Sequence, residues 1–446
     1  DPYVYIPSVM PHGGMLSTGE DMGKFMLAFL NEGTLESKRI LTKQSVEDMS
    51  EYRSAIHPIM PNTTYGFEAA AQLPQAGSSK KILTKLGDLP GNSSMLLFLP
   101  DEEVGVFLTH NTQGIVRDLV YPQFMATFFP DYMAPAELGE FTPLTAEELA
   151  PLAGLYSDLR LAGILSVVEV IGDGQLSIKD AVLGPRTITQ VDDNLFIDEL
   201  TNSYTAFSID EQNGIVYMKE PYLNPLGYAR KGDTPVGFTD VEEDNPFAPY
   251  ILAMQSIGHY ANEEGATFAP QQPISKAEFV DYLLKTSGLK SPSADAYAFS
   301  DIEFHPIGNV IQYAYELGMI SGNEEGKFEP SSSITRQEAA VMMWRMYNQL
   351  YPDKLFEEIQ LSGETDDWAV PAVKMMVAFG YYGPEVSIDE NGSVDFHSQQ
   401  FMTRQEAAAF YYQALLQPAD QIANSLMQQQ QTNDSEEATL SPEGEE

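Results

Sequence analysis

Three short stretches decide the reading of this chain: Ile274-Ser275-Lys276-Ala277-Glu278, Ile334-Thr335-Arg336-Gln337-Glu338 and Met402-Thr403-Arg404-Gln405-Glu406. Each runs into an apolar stripe: Phe279/Tyr282/Leu283, then Ala339/Met343/Met346/Leu350, then Phe410/Tyr411/Ala414/Leu415. Offsets of three, four and seven mark one buried face of an α-helix. Sixty residues separate Ser275 from Thr335, and 68 separate Thr335 from Thr403. A unit that recurs three times, each copy too small to bury its own core, predicts an array that stacks on itself.

The copies match beyond those five residues. Phe238-Thr239-Asp240-Val241 and Phe299-Ser300-Asp301-Ile302 lie upstream, each before an apolar helix that ends at Gly258 or Gly318. An acidic turn and a Phe-x-Pro follow: Glu263-Glu264-Gly265 to Phe268-Ala269-Pro270, and Glu324-Glu325-Gly326 to Phe328-Glu329-Pro330. The third copy is looser. Trp368-Ala369 to Gly380 gives its first helix, and no clean Phe-x-Pro follows. This order of motifs resembles the S-layer homology domain, with repeats over 236–290, 297–350 and 355–417. The resemblance implies an all-α three-repeat bundle that binds secondary cell-wall polysaccharide non-covalently. It also implies a secreted protein of the cell wall or S-layer of a Gram-positive-type bacterium.

Ser/Thr-x-x-Glu is a capping box. The hydroxyl accepts from the third helical amide, and the Glu reaches back to the cap amide. Each box stabilises its helix by about 1 kcal/mol. Capping alone accounts for the Ser/Thr and the Glu, but not for Lys276, Arg336 and Arg404. A cation in the first turn opposes the helix dipole at a cost of a few tenths of a kcal/mol. Beside free helix amides, a cation makes an anion site. The expected glycan-binding residues are therefore Lys276, Glu278, Arg336, Glu338, Arg404 and Glu406. The cations would face acidic sugar groups, such as the ketal-linked pyruvate that the resemblance implies. Arg grips a carboxylate with two hydrogen bonds and Lys does not, so the first repeat is expected to be the weakest site.

The chain has 446 residues and a formal charge of −41, long enough for several cores. That charge argues against nucleic acid and anionic membranes as partners. It also requires any site for an anionic polymer to be local and basic. There is no cysteine, which excludes disulfides, thiolate metal sites and cysteine nucleophiles. The six histidines show no ligand spacing, so no transition metal or other cofactor is expected. No apolar run reaches the length of a membrane span. A first residue of Asp1, without a signal peptide, suggests the back part of a longer secreted precursor.

Residues 1–135 follow a different pattern. Gly13-Gly14-Met15-Leu16-Ser17-Thr18 leads into a helix capped by Thr18, with the stripe Met22/Phe25/Met26/Phe29/Leu30 and a stop at Gly33. Thr42 starts a second helix through Val46 and Met49. Ile82 to Lys85 reads as a strand broken by Gly87-Asp88-Leu89-Pro90-Gly91. Ser94–Leu99 and Val104–Thr109 read as a hairpin. This section resembles the C-terminal part of serine β-lactamases and penicillin-binding-protein-like hydrolases. Lys85-Leu86-Gly87 matches that family's strand beside the active site. The resemblance gives Lys85 a part in substrate binding and proton transfer, and Gly87 room for the substrate backbone. Leu86 stands where a hydroxyl residue is usual. The family's Ser-x-x-Lys and Tyr-x-Asn belong upstream of the Gly-Gly-x-x-Ser-Thr helix and are expected to precede this chain. Ser78-Ser79-Lys80-Lys81 sits in a Gly/Ser loop and Tyr222-Leu223-Asn224 beside prolines, so both are chance matches. Without nucleophile and base the chain is not expected to turn over a substrate alone. The parent enzyme would act on β-lactams, peptidoglycan-related D-alanyl peptides or esters.

A Pro-rich linker follows, then a short helix capped by Thr145. From Gly154 onward the sequence alternates, with turns at Gly172-Asp173-Gly174 and Asn213-Gly214. A small antiparallel β-barrel or sandwich is expected over 145–232. It resembles the lipocalin-like domain that often follows such hydrolases, where it would hold a ligand or guard the active site, and a packed spacer is the favoured alternative. Residues 418–446 are Gln-rich, then acidic, and are expected to be disordered. The chain is thus expected to be multidomain: a partial α+β hydrolase-like lobe, a β-barrel or sandwich, an all-α array and a tail. Two functions fit: the anchored back portion of a serine hydrolase, or a non-catalytic wall-binding protein carrying a remnant lobe.

Overall fold

The computed structural model describes residues 13–69, 80–89, 91–112, 116–134, 137–161, 163–224 and 227–440. Ser78 and Ser79 of the chance Ser-x-x-Lys match, Pro90 of the expected turn and the last six residues of the tail lie outside them.

The front section builds a sheet between helices. Helix α1 (Gly19–Leu30) starts where Thr18 Oγ1 accepts from the Asp21 amide at 3.1 Å. It ends at Leu30 with Asn31 as its cap, and the chain then turns at Gly33, whose φ of +83° is open to glycine without strain. Helix α2 (Lys43–Ser50) is capped by Thr42. The sheet has the order β1 (Glu68–Ala69), β2 (Leu83–Leu89), β3 (Asn92–Leu99) and β4 (Val104–His110). Strand β2 does not break at Gly87. It continues to Leu89, because Gly87 pairs with Ser94 and the Asp88 carboxylate accepts from the Ser93 hydroxyl at 2.6 Å. Alternation then sorts the faces. Leu83, Leu96 and Phe98 pack with Phe29 of α1. Met95 and Leu97 pack with Tyr121 and Met125 of helix α3 (Val116–Phe128). Little in the sequence marks α3, since Pro122 stands inside it.

The alternating section is a closed eight-stranded barrel, which resolves the barrel-or-sandwich alternative. Its strands are β5 (Gly154–Asp158), β6 (Leu165–Gly172), β7 (Gln175–Asp180), β8 (Gly184–Asp192), β9 (Leu195–Asp198), β10 (Tyr204–Asp210), β11 (Ile215–Lys219) and β12 (Ala229–Lys231). The short β12 has no clear alternation, yet it lies between β11 and β5 and closes the ring. Closure removes the free edges that would otherwise invite pairing with another chain. Tyr222-Leu223-Asn224 is a turn: the Glu220 carboxylate accepts from the Tyr222 and Leu223 amides at 2.9 and 2.6 Å.

The array contributes six helices in three pairs: α4 (Ala248–Ser256) with α5 (Lys276–Thr286), α6 (Gly308–Glu316) with α7 (Arg336–Tyr347), and α8 (Val370–Phe379) with α9 (Arg404–Leu416). Their apolar faces share one core, from Ile251, Phe279 and Leu283 through Ile311 and Met343 to Met376, Phe410 and Leu416.

The expected disordered tail is corrected. Residues 419–440 form helix α10 (Ala419–Leu440). Its first turns carry a stripe, Ala419/Ile422/Ala423/Leu426, that packs on the array core. The Asp420 carboxylate accepts from the Tyr351 hydroxyl, and Gln430 Nε2 donates to the Lys354 carbonyl at 3.1 Å. Helical spacing of a few apolar residues inside a Gln-rich stretch outweighs its polar composition. Ending the chain at residue 417 should lower array stability by about 2–4 kcal/mol in urea titrations, the usual scale for opening a core face. An unchanged midpoint would mean the helix only rests on the surface.

Candidate functional site

The three capping motifs lock together in a closed cycle. Ile334 N donates to Ile274 O at 3.1 Å, Met402 N to Ile334 O at 2.9 Å, and Ile274 N to Met402 O at 2.9 Å. The first two amides of each helix follow the same order. Lys276 N and Ala277 N donate to Ser332 O and Pro330 O at 2.8 and 3.0 Å. Arg336 N and Gln337 N donate to Gln400 O and Ser398 O at 3.0 and 2.9 Å. Arg404 N and Gln405 N donate to Gln272 O and Pro270 O at 2.9 and 3.1 Å. The capping boxes take the third amides in two copies, with Ser275 Oγ accepting from Glu278 N at 3.2 Å and Thr335 Oγ1 from Glu338 N at 3.3 Å. In the third copy the Glu406 carboxylate accepts from Thr403 N at 2.9 Å, while the Thr403 hydroxyl makes no hydrogen bond.

Capping is therefore as the sequence implies in the first two motifs, the third keeps only its glutamate arm, and a further expectation fails. The amides beside the cations are not free. Carbonyls of the neighbouring repeat already fill them, so no anion can bind there by the helix-terminus route.

The cations run around the same cycle. Lys276 Nζ lies 3.3 Å from Glu338 Oε1 and 3.8 Å from Glu329 Oε2. Arg336 Nη2 lies 2.6 Å from Glu406 Oε1, and Arg404 Nη1 lies 2.6 Å from Glu278 Oε1. Each motif's cation thus meets the capping glutamate of the next motif. This explains a cation placed against its own helix dipole: its partner belongs to another helix. The three joins differ in depth. The Arg336 side chain is 5% exposed, Lys276 17% and Arg404 21%. Arg336 also donates through Nη1 to His397 O at 3.2 Å and Gln400 Oε1 at 3.1 Å.

The third Phe-x-Pro equivalent is Phe396-His397-Ser398, seven residues before Thr403, as Phe268 and Phe328 stand seven before Ser275 and Thr335. Spacing alone would have found it. Ala269, Glu329 and His397 share positive φ values of +56°, +62° and +51°. In the first two copies a carboxylate holds this turn: Asp240 accepts from Phe268 N and Ala269 N at 2.7 Å each, and Asp301 accepts from Phe328 N and Glu329 N at 3.0 and 2.8 Å. The third copy has Leu361-Ser362-Gly363 where an aspartate would end the motif. There Asp395 accepts from His397 N at 2.8 Å, and Gly363 makes room, since a Cβ at Gly363 would lie 2.4 Å from Asp395 Oδ1. The carboxylate has changed its place in the sequence while still holding the turn.

Near the deepest join lies Glu385. Burial pushes its carboxyl above the usual range, an effect Glu406 reinforces and the Gly383 amide and Arg336 oppose. Its Oε1 accepts from Gly383 N at 3.1 Å, while the buried Oε2 has no partner.

In the front lobe, Lys85 Nζ pairs with the Glu68 carboxylate. Strand β1 covers β2 only beside Leu83 and Thr84, so Lys85 and Gly87 lie beyond that pairing. A Cβ at Gly87 would come within 2.9 Å of Ser94 Oγ. No group of three His, Cys, Asp or Glu residues suited to a metal occurs among the described residues, and no helix there is long and apolar enough to cross a membrane.

Comparison with known proteins supports the first two repeats. The S-layer homology domain model matches residues 237–280 and 298–340, so the chain carries S-layer homology repeats. An endoglucanase of Bacillus sp. (strain KSM-635) is 33% identical over 113 residues, covering 25% of this chain and 12% of that protein. A cellulosome-anchoring protein of Acetivibrio thermocellus is 28% identical over 144 residues, covering 29% and 32%. The chain thus spans at most about a third of these relatives. Among solved structures, SurE with D-Leu aligns over 43% of this chain and 44% of that one, at 14% identity and a TM-score of 0.29, too distant to carry an argument.

Two outcomes test this site. Arg336→Ala should destabilise the array by about 3–5 kcal/mol, because Glu406 is left buried and unpaired, while Arg336→Met with Glu406→Met should recover most of the loss. Equal losses in both variants would deny the pairing. Glu385 has a folded-state pKa above its unfolded value, so its ionisation costs stability as pH rises through the raised pKa, and the cost vanishes below the unfolded value. Glu385→Gln should therefore raise the Tm at pH 8 and leave it nearly unchanged at pH 4.

Proposed function

We propose that the chain is the wall-attached portion of a cell-surface protein, held non-covalently on secondary cell-wall polysaccharide by a three-repeat S-layer homology array. The observation that carries this reading is the cyclic closure of three capping motifs, which makes the repeats one folded unit. The matched S-layer homology segments support it, as does the likeness to a protein named for anchoring. In this reading 355–417 is the third repeat. The wall glycan is acidic, and its contacts are drawn from Lys276, Glu278, Arg336, Glu338, Arg404 and Glu406. The protein then lies outside the cell, on the wall or S-layer of a Gram-positive-type bacterium.

The front lobe is the C-terminal portion of a serine β-lactamase-like hydrolase whose nucleophile precedes this chain. A specific observation favours this. Among the described residues, Lys85 and Gly87 stand on β2 beyond its pairing with the short β1, the side along which this reading places a substrate backbone. The substrate would be a β-lactam, a D-alanyl peptide or an ester, and the barrel a spacer or guard. The second reading, a wall-binding structural protein with a remnant lobe, shares the array and differs only here.

Co-sedimentation of the full chain with purified Gram-positive cell walls tests the anchoring. Binding should be lost when the secondary polymer is stripped from the walls. Equal sedimentation with stripped walls, or none with either, would contradict the proposal. For the lobe, labelling by a fluorescent penicillin should fail, and labelling would show a nucleophile within the chain.

A further inference from the structure

We infer that the array takes an anionic group at one join only, the one between the third and first repeats, with Arg404 as its contact. This rests on the proposal that the array binds an acidic glycan. The three joins have the same plan but different charge and access, and the difference traces to the middle residue of each Phe-x-Pro turn.

At the join between the first and second repeats that residue is Glu329. Lys276 then sits within 4 Å of two carboxylates, Glu329 and Glu338. One positive charge between two negative ones repels a further carboxylate. At the join between the second and third repeats the residue is His397, whose carbonyl accepts from Arg336. That guanidinium is buried and holds three acceptors, His397 O, Gln400 Oε1 and Glu406 Oε1, so a ligand would have to open the core to reach it.

The remaining join has Ala269, with no charge. Arg404 there faces one carboxylate, Glu278. Its Nε donates to Phe268 O at 2.7 Å and its Nη1 to Glu278 Oε1 at 2.6 Å, leaving Nη2 without a hydrogen-bond partner among the described residues. The guanidinium carbon lies 5.2 Å from the centre of the buried Phe268 ring, a cation–π contact that helps hold the side chain at the join. A flat cation with a spare donor, partly open to solvent and held in place from behind, suits a carboxylate carried on a sugar. Glu278 need not leave its cap, since its Oε2 accepts from Ser275 while Oε1 faces Arg404.

The test is calorimetric titration of the full chain with polysaccharide fragments released from purified walls. One site per chain is expected. Arg404→Lys should weaken it by about tenfold to a hundredfold, the scale of a lost charge-assisted hydrogen bond. Ala269→Glu should abolish it without touching the cycle, because Glu329 holds the same backbone conformation at the equivalent position. Glu329→Ala should add a second, weaker site at Lys276. Three equivalent sites in the unaltered chain, or undiminished binding by Ala269→Glu, would overturn the assignment. If the unaltered chain binds walls but no fragment, the single-site assignment falls and anchoring stands. If it binds neither, the glycan reading itself falls.

Discussion

A helix leaves its first amides without partners, and in this array the partners come from the next repeat. That single constraint organises the back half of the molecule. Each of α5, α7 and α9 begins against carbonyls supplied by a turn of another repeat, far away in sequence. No repeat can satisfy its own helix start, and no pair of repeats can close the cycle. Buried amides without acceptors cost about 1–3 kcal/mol each, so the three repeats stand or fall together.

The same constraint places charge. A cation at the first helical position is unfavourable in an isolated helix. In the closed cycle it lies beside another helix's capping glutamate, and that glutamate serves two ends at once. The three cations balance the three capping glutamates around the cycle, within a chain of formal charge −41, and Glu329 adds one further negative charge beside Lys276. The joins differ in exposure, with Arg336 the most deeply buried of the three cations and Arg404 the least.

Much of this was legible in the sequence. The helix starts, most of the three apolar stripes, the front hairpin and most barrel strands follow from periodicity and turn residues alone, although Leu350 lies exposed beyond the end of α7 and the Thr403 hydroxyl makes no cap bond. What was not legible is what depends on other parts of the chain. The partners of Lys276, Arg336 and Arg404 could not be read, because a first-turn cation looks like a ligand site until the neighbouring helix is known. Asp395 escaped notice because the third repeat has Gly363 where the motif would carry its aspartate and supplies the carboxylate from elsewhere. Helix α10 was hidden by its glutamines, although Ala419, Ile422, Ala423 and Leu426 keep a helical spacing. The short β12 carries no pattern of its own and is a strand because the barrel needs an eighth member.

The central claim is that the three repeats close into one cooperative ring. Native-state hydrogen exchange at the amides of Ile274, Ile334 and Met402 tests it most directly. These amides donate to one another's residues in a cycle, so opening any one breaks the cycle for all three. The account predicts that they exchange with the same opening free energy, equal to that of global unfolding of the array. Three distinct values, with one amide exchanging through a local opening while the others stay protected, would contradict it.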